Sequence, residues 1–288
     1  MSRFGKNVLT DTQAPLVSVI IPTFNRAWTV GSAIDSVIVQ NYPNFELIVV
    51  DDGSSDHTPA LLSAYKDAIL PIHQPNRGVS AARNRGIAAA SGDLIAFLDS
   101  DDYWLPGKLS EQVAFFKAHP AAWICQTEEI WIRNGRRVNP RRRHKKPAGD
   151  IFIPSLELCL VSPSAVMAKK ALFVEIGGFD ENLPACEDYD LWLRVSSRYS
   201  VHLIEKPLIV KQGGHPDQLS RQPGLDKYRI FAIEKMLAGR SLTDEQYRAA
   251  VKALEEKCAI YAAGCRKRGK NGEADEYWRL ARKYTGEG

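Results

Sequence analysis

Asp99-Ser100-Asp101, followed at once by Asp102, closes the apolar run Leu94-Ile95-Ala96-Phe97-Leu98. Carboxylates crowded at the end of a buried strand repel one another, and a divalent cation or a cationic side chain relieves that repulsion. Hard oxygen ligands suit Mg²⁺ or Mn²⁺, which commonly bridge one or two carboxylates to a substrate diphosphate. The triplet therefore points to metal-assisted chemistry on a phosphorylated donor. A second acidic group, Glu187-Asp188, heads a helical pattern with Leu191, Trp192 and Val195 on one side.

These groups need elements that hold them. Val17–Ile21 is an apolar run stopped by Pro22, Leu47–Val50 is another stopped by Asp51-Asp52-Gly53, a third strand is expected over 68–72, and 94–98 is the fourth. Helical spacing lies between them, at Val30, Ile34, Val37 and Ile38, at Leu61, Leu62 and Tyr65, and at Val79, Ala82, Gly86 and Ile87. Continuous apolar strands alternating with helices predict a parallel sheet covered on both faces. Such sheets bind ligands beyond the carboxyl ends of their strands. Pro22-Thr23-Phe24-Asn25, Asp51-Asp52-Gly53-Ser54 and Asp99-Ser100-Asp101 would then share one edge. Beyond 104 the pattern predicts a helix over 107–119, extended chain over 122–132, an exposed basic loop over 133–146, strands near 163–167 and 201–210, and charged helices from 224 with breaks at Gly239 and 269–272.

The chain has 288 residues, 44% hydrophobic and 25% charged, with a net charge of +4. That is an ordinary globular balance without a nucleic-acid signature. The five cysteines form no CxxC pair, which argues against a disulfide framework or a thiolate zinc site. No signal pattern or membrane-length apolar run stands out, so the expectation is a cytoplasmic protein. A dinucleotide oxidoreductase would show G-x-G-x-x-G, and a P-loop enzyme G-x-x-x-x-G-K-[ST]; neither is present. The first turn also lacks the glycine-rich, lysine-containing loop of sugar-nucleotide pyrophosphorylases. The basic loop lacks the interleaved aromatics of a nucleic-acid stacking surface.

VSVIIPTFNR (17–26), ELIVVDDGSSDHT (46–58), NRGVSAARNRG (76–86), GDLIAFLDSDD (92–102) and EDYDLWLR (187–194) together resemble the motif set of family 2 glycosyltransferases. The resemblance covers residues 16–215. It implies a GT-A fold, α/β with a mostly parallel central sheet, divided into an N-terminal extension (1–15), a nucleotide-sugar-binding half (16–104), an acceptor-binding and catalytic half (105–223) and a C-terminal helical segment (224–288). It implies transfer of a sugar, with inversion, from a nucleotide-sugar (a UDP-sugar is favoured) to a glycan or lipid-linked hydroxyl acceptor, in cell-surface polysaccharide or glycan synthesis.

On that resemblance Asp99 and Asp101 are a DxD motif holding Mn²⁺ or Mg²⁺, with Asp101 the direct ligand and Asp99 nearer the ribose. Ser100 lies between them, and His215 is a further candidate for metal or diphosphate. Asp52 matches the acceptor of the base N–H. Pro22, Thr23, Phe24 and Asn25 match the first nucleotide loop, and Arg83 matches a donor-side arginine. Arg77 and Arg85 read equally as donor contacts or surface residues, and Trp104 as acceptor wall or core. Ser55, Asp56 and His57 read as helix caps. Asp188 matches the catalytic base, with Asp190 and Glu187 as fallbacks, and 177–180 a turn positioning that helix. The basic loop reads as solvated chain or as a peripheral contact with anionic headgroups at the inner face of the membrane. The competing expectation is a nucleotide- or glycan-binding protein without transferase activity. No oligomeric state is read from the sequence.

Overall fold

A computed structural model describes residues 14–139, 145–215, 218, 224–239 and 241–285. All but the last two residues of the expected N-terminal extension, and Arg141, Arg142, Arg143 and His144 of the basic stretch, lie outside the described residues. The first half alternates β1 (Val17–Thr23), α1 (Val30–Ile38), β2 (Phe45–Asp51), α2 (Thr58–Ala64), β3 (Leu70–His73), α3 (Val79–Ala89) and β4 (Leu94–Phe97). These strands pair in parallel in the order β3-β2-β1-β4. Their side chains are buried on both faces of β1 and β4, which is why each reads as an unbroken apolar run.

Pro22 does not stop β1, which runs on to Thr23. Thr23 faces β2, since its carbonyl accepts from Asp52 N–H, and Ile20 faces β4, since its carbonyl accepts from Leu98 N–H. Pro22 shares the Ile20 side and follows the last β1–β4 bond, so its missing N–H ends that ladder while β1 continues along β2.

The second half contains β5 (Tyr103–Trp104), α4 (Lys108–Ala118), β6 (Ile124–Arg133), β7 (Arg136–Val138), α5 (Phe152–Glu157), β8 (Val166–Lys169), α6 (Lys170–Ile176), α7 (Glu187–Ser196) and β9 (His202–Gly213). Here the sheet is mixed. β8 runs antiparallel to β4 and β6, β9 parallel to β6, and β5 antiparallel to β9. The stretch expected as an exposed basic loop is instead partly a hairpin. Arg133 pairs with Arg136 across Asn134 and Gly135, both at positive φ (49° and 73°), the conformation of a two-residue hairpin turn. At its far end Lys146 is buried, with Nζ 2.6 Å from Glu129 Oε2 and donating to Thr127 O.

Helices α8 (Asp226–Ala238), α9 (Asp244–Lys267) and α10 (Asn271–Thr285) end the chain. Thr243 and Gln246 form a reciprocal capping box at the start of α9. The three helices share a core with α5 and α7, built from Phe152, Leu156, Tyr189, Leu193, Ile233 and Leu254 among others. Leu191, Trp192 and Val195 of α7 pack instead into the sheet-side core. Helix α7 is thus held on two faces, which fixes the direction of its first turn.

Helix α3 rests on β1 at Gly86, where an added Cβ would come 2.4 Å from Ile20 Cγ2. Gly86→Ala should force α3 outward and lower stability by about 1–3 kcal/mol, read as a lower urea midpoint at unchanged m-value; an unchanged midpoint would show that α3 does not rest there.

Candidate active site

Because β2, β1 and β4 are parallel neighbours, their carboxyl ends bring the three polar clusters together. The first two are fastened to each other. Asn25 takes a left-handed conformation (φ 53°). Its Oδ1 accepts from Ser55 N–H at 2.8 Å and Asp56 N–H at 3.3 Å, and its own N–H donates to Ser54 Oγ. Asp56 accepts from Thr58 N–H at the start of α2 and from Ala27 N–H. The expected helix cap therefore also joins two loops. Thr23 is buried, and its hydroxyl has no hydrogen-bond partner among the described residues. Phe24 is exposed.

Asp52 is buried below this edge. Its Oδ1 accepts from Gln74 Nε2 (2.7 Å) and Arg77 N–H (3.0 Å), and its Oδ2 from Gly78 N–H (2.8 Å). Asp51 accepts from Ser54 N–H and lies 3.1 Å from His73 Nδ1. Both acids thus order the loops around them.

Arg83, on α3, is 4% exposed and connects two clusters distant in sequence. Its Nη2 donates to Asp99 Oδ1 at 2.7 Å and its Nη1 to Glu187 Oε1 at 2.6 Å. Its guanidinium carbon sits 5.0 Å from the Phe179 ring centroid. Against the penalty of burial, the two carboxylates hold Arg83 in its charged form. Asn84, the next residue, exchanges two hydrogen bonds with the Phe179 backbone, its Nδ2 donating and its Oδ1 accepting, each at 2.8 Å. Arg77 instead pairs with Glu181 at 64% side-chain exposure, and Arg85 is exposed.

The acidic loop contains more charge than Arg83 offsets. Burial and the neighbouring Asp99 hold the Asp101 carboxyl above its ordinary range. Burial pushes Asp102 up to about 8, with Asp101 and Asp99 adding to the effect and Lys211 opposing it. Asp102 accepts from Ser164 Oγ at 2.7 Å and Gln212 N–H at 3.0 Å, and Ser164 Oγ accepts from Asp99 N–H. Lys211, on β9, is held charged by the triplet and Glu129 in spite of its burial, and donates to Ser162 Oγ at 2.9 Å. His215 Nε2 lies 3.4 Å from Asp101 Oδ2, and its ring meets Trp28 edge-on at 5.0 Å.

The three acids of the first turn of α7 have separate surroundings. Glu187 is buried against Arg83. Asp190 is 1% exposed and ion-paired with Arg194 (2.7 Å) and Lys235 (2.9 Å). Arg194 also donates to Ile176 O and Gly178 O, so this pair locks the 177–180 turn to α7. Asp188 alone of the three is partly exposed. It accepts from Tyr189 N–H and lies 3.6 Å from Cys159 Sγ. A cleft of about 330 Å³ is lined by Pro22, Arg83, the 99–102 loop and Asp188. It is large enough for part of a small ligand, and both the acidic loop and Asp188 line it.

Of the residues singled out in the sequence, Pro22, Arg83, Asp99, Ser100, Asp101 and Asp188 meet at this cleft, and His215 reaches it through Asp101. Thr23, Phe24, Asn25 and Asp52 form the adjoining loop edge. Trp104 belongs to the core: it is buried, and its Nε1 donates to Ser164 O. Sequence reasoning missed Lys211 and Ser164. No local pattern marks either, and only the β9 and β8 pairings bring them to the acidic loop. All five thiols are free, and no helix among the described residues is long and apolar enough to cross a membrane.

A family model described as Glycosyl transferase family 2 matches residues 18–175, and one described as Glycosyltransferase like family 2 matches residues 149–231. An uncharacterized glycosyltransferase of Rickettsia typhi is 36% identical over 202 residues, covering 67% of this chain and 64% of that protein. The chain thus spans just under two thirds of that relative. The UDP-Glc:alpha-D-GlcNAc-diphosphoundecaprenol beta-1,3-glucosyltransferase WfgD of Escherichia coli is 32% identical over 191 residues, covering 66% of this chain and 73% of that protein. The crystal structure of S. aureus TarS 1–349 in complex with UDP-GlcNAc matches with a TM-score of 0.67 at 20% identity, over 94% of this chain and 91% of that one. At that identity the likeness is one of fold, the GT-A arrangement of a mixed sheet flanked by helices.

Proposed function

The chain belongs to glycosyltransferase family 2, and from that premise we propose that it moves a sugar, with inversion, from a UDP-sugar to a hydroxyl of a lipid-linked diphosphate acceptor. The observation that carries this reading is the placement of Asp188. It is the partly exposed carboxylate of α7, and it opens on the cleft that also contains the acidic loop. The similarity to WfgD, whose name specifies a UDP-Glc donor and a diphosphoundecaprenol-linked acceptor, supports the choice of substrates.

In this reading the nucleotide lies along the ends of β1 and β2. The unpartnered Thr23 hydroxyl borders the base, and Asp52 turns its remaining acceptor capacity to a base N–H. Among the described residues no three His, Cys, Asp or Glu side chains are arranged to hold a metal ion, so a hard divalent cation would rest on the Asp101–His215 pair and take its other oxygens from the donor diphosphate. Asp101 and His215 would hold Mn²⁺ or Mg²⁺, with Asp99 kept in place behind them by Arg83. When bound, the ion supplies Lewis-acid stabilisation of the charge on the departing nucleoside diphosphate. Asp188 removes the acceptor hydroxyl proton as that oxygen attacks the anomeric carbon. The new C–O bond forms on the face opposite the breaking bond to phosphate, which inverts the centre. Exposed Arg133, Arg136 and Arg137 on the β6–β7 hairpin favour contact with a membrane that carries such an acceptor.

Asp188→Asn should keep UDP binding and lose sugar transfer by about 10²–10⁴-fold. Asp101→Ala should lose metal-dependent UDP binding measured by calorimetry. Asp190→Asn should instead lower stability by about 3 kcal/mol while the folded fraction stays active; normal transfer by Asp188→Asn would remove the base assignment. Replacing Arg133, Arg136 and Arg137 by Glu should weaken sedimentation with anionic vesicles, and equal sedimentation would remove the membrane contact.

A further inference from the structure

Leu225 and Arg229, at the start of α8, also line the cleft that contains Asp188. Helix α8 brings Arg229 beside Cys186 and Tyr189, close enough for its charge to act on both. The Arg229 side chain is only 26% exposed. Its Nη1 donates to Asp226 Oδ1 at 3.0 Å, one turn back on the same helix. Its buried Nε has no hydrogen-bond partner among the described residues. A guanidinium has five N–H donors in a fixed fork, and a buried donor left unpaired is costly.

The other cations at the cleft belong to the donor side. Arg83 joins Asp99 and Glu187, Lys211 faces the acidic loop from β9, and Arg26 acts on Asp101. Arg229 lines the same cleft from α8, beside Cys186 at the head of the helix that carries Asp188. Its carboxylate partner Asp226 is 37% exposed and readily released to water.

We propose that Arg229 is the residue that reads the acceptor, gripping a phosphoryl group of the acceptor through its two Nη groups. This rests on the glycosyltransferase reading above and supplies its acceptor side. The planar fork matches two phosphoryl oxygens in a bidentate pair, an arrangement that a neutral glycan end does not offer. Helix α8 then links acceptor recognition to α7, against which it packs, and so to the base that α7 carries.

The test uses the full chain with Mg²⁺ and saturating UDP, so that the donor site is filled. UDP binding, measured first, is the separate test of the donor reading. Octyl diphosphate, octyl glucuronide and octyl glucoside are then titrated by calorimetry. The UDP-loaded protein should bind octyl diphosphate more tightly than either glycoside, and Arg229→Gln should weaken that binding about tenfold or more. Asp226→Asn, which keeps the guanidinium and frees it from its helix partner, should tighten it about twofold; this variant decides the matter if Arg229→Gln does not fold. Failure of the UDP-loaded protein to bind octyl diphosphate, tighter binding of the glucuronide, or unchanged binding in the variants would overturn the proposal.

Discussion

A single buried guanidinium joins the two halves of this molecule. Arg83 stands on α3 in the first half, donates to Asp99 at the end of β4, and donates again to Glu187 at the head of α7 in the second half. Burying such a charge costs several kcal/mol, and the carboxylates offset that cost only if both hold their geometry. The surroundings supply that rigidity. Gly86 seats α3 on Ile20, Asn84 clamps the Phe179 backbone, Phe179 covers the guanidinium, and Arg194 ties the 177–180 turn to α7. Each contact restricts one degree of freedom between the acidic loop and the α7 carboxylates.

Charge is distributed unevenly around that bridge. On the side of the acidic loop, three carboxylates crowd together and share Arg83 and Lys211 with Glu187 and Glu129. Burial drives Asp102 and Asp101 toward their neutral forms even with Lys211 nearby. This is the environment that a hard cation and a diphosphate would complete. From α8, Arg229 lines the same cleft while paired with Asp226.

Much of the first half was legible in the sequence because β1, β4 and most of β2 are buried on both faces. The apolar runs at 17–21, 47–50 and 94–98 needed no tertiary information, and their parallel pairing brought the polar clusters to one edge. Roles for Asp99, Asp101 and Asp188 came from the family resemblance, not from spacing. What remained hidden depends on pairings between distant segments. Lys211 meets the acidic loop only because β9 pairs with β5 and β6, and Ser164 only because β8 pairs with β4. The basic stretch misled for a local reason: Asn134-Gly135 is a hairpin signal that the surrounding arginines masked. Helix α7 displayed its sheet-facing side, while Tyr189 and Leu193 had no visible partner until the C-terminal helices covered them.

The most direct test of the bridge is a double-mutant cycle between Asp99 and Glu187, which belong to different halves and share Arg83. Asp99→Asn, Glu187→Gln and the double variant would be compared by equilibrium unfolding in urea. A shared buried bridge should give a coupling free energy above about 1 kcal/mol, because either substitution alone unbalances the same buried charge. Effects that add to within about 0.5 kcal/mol would contradict it.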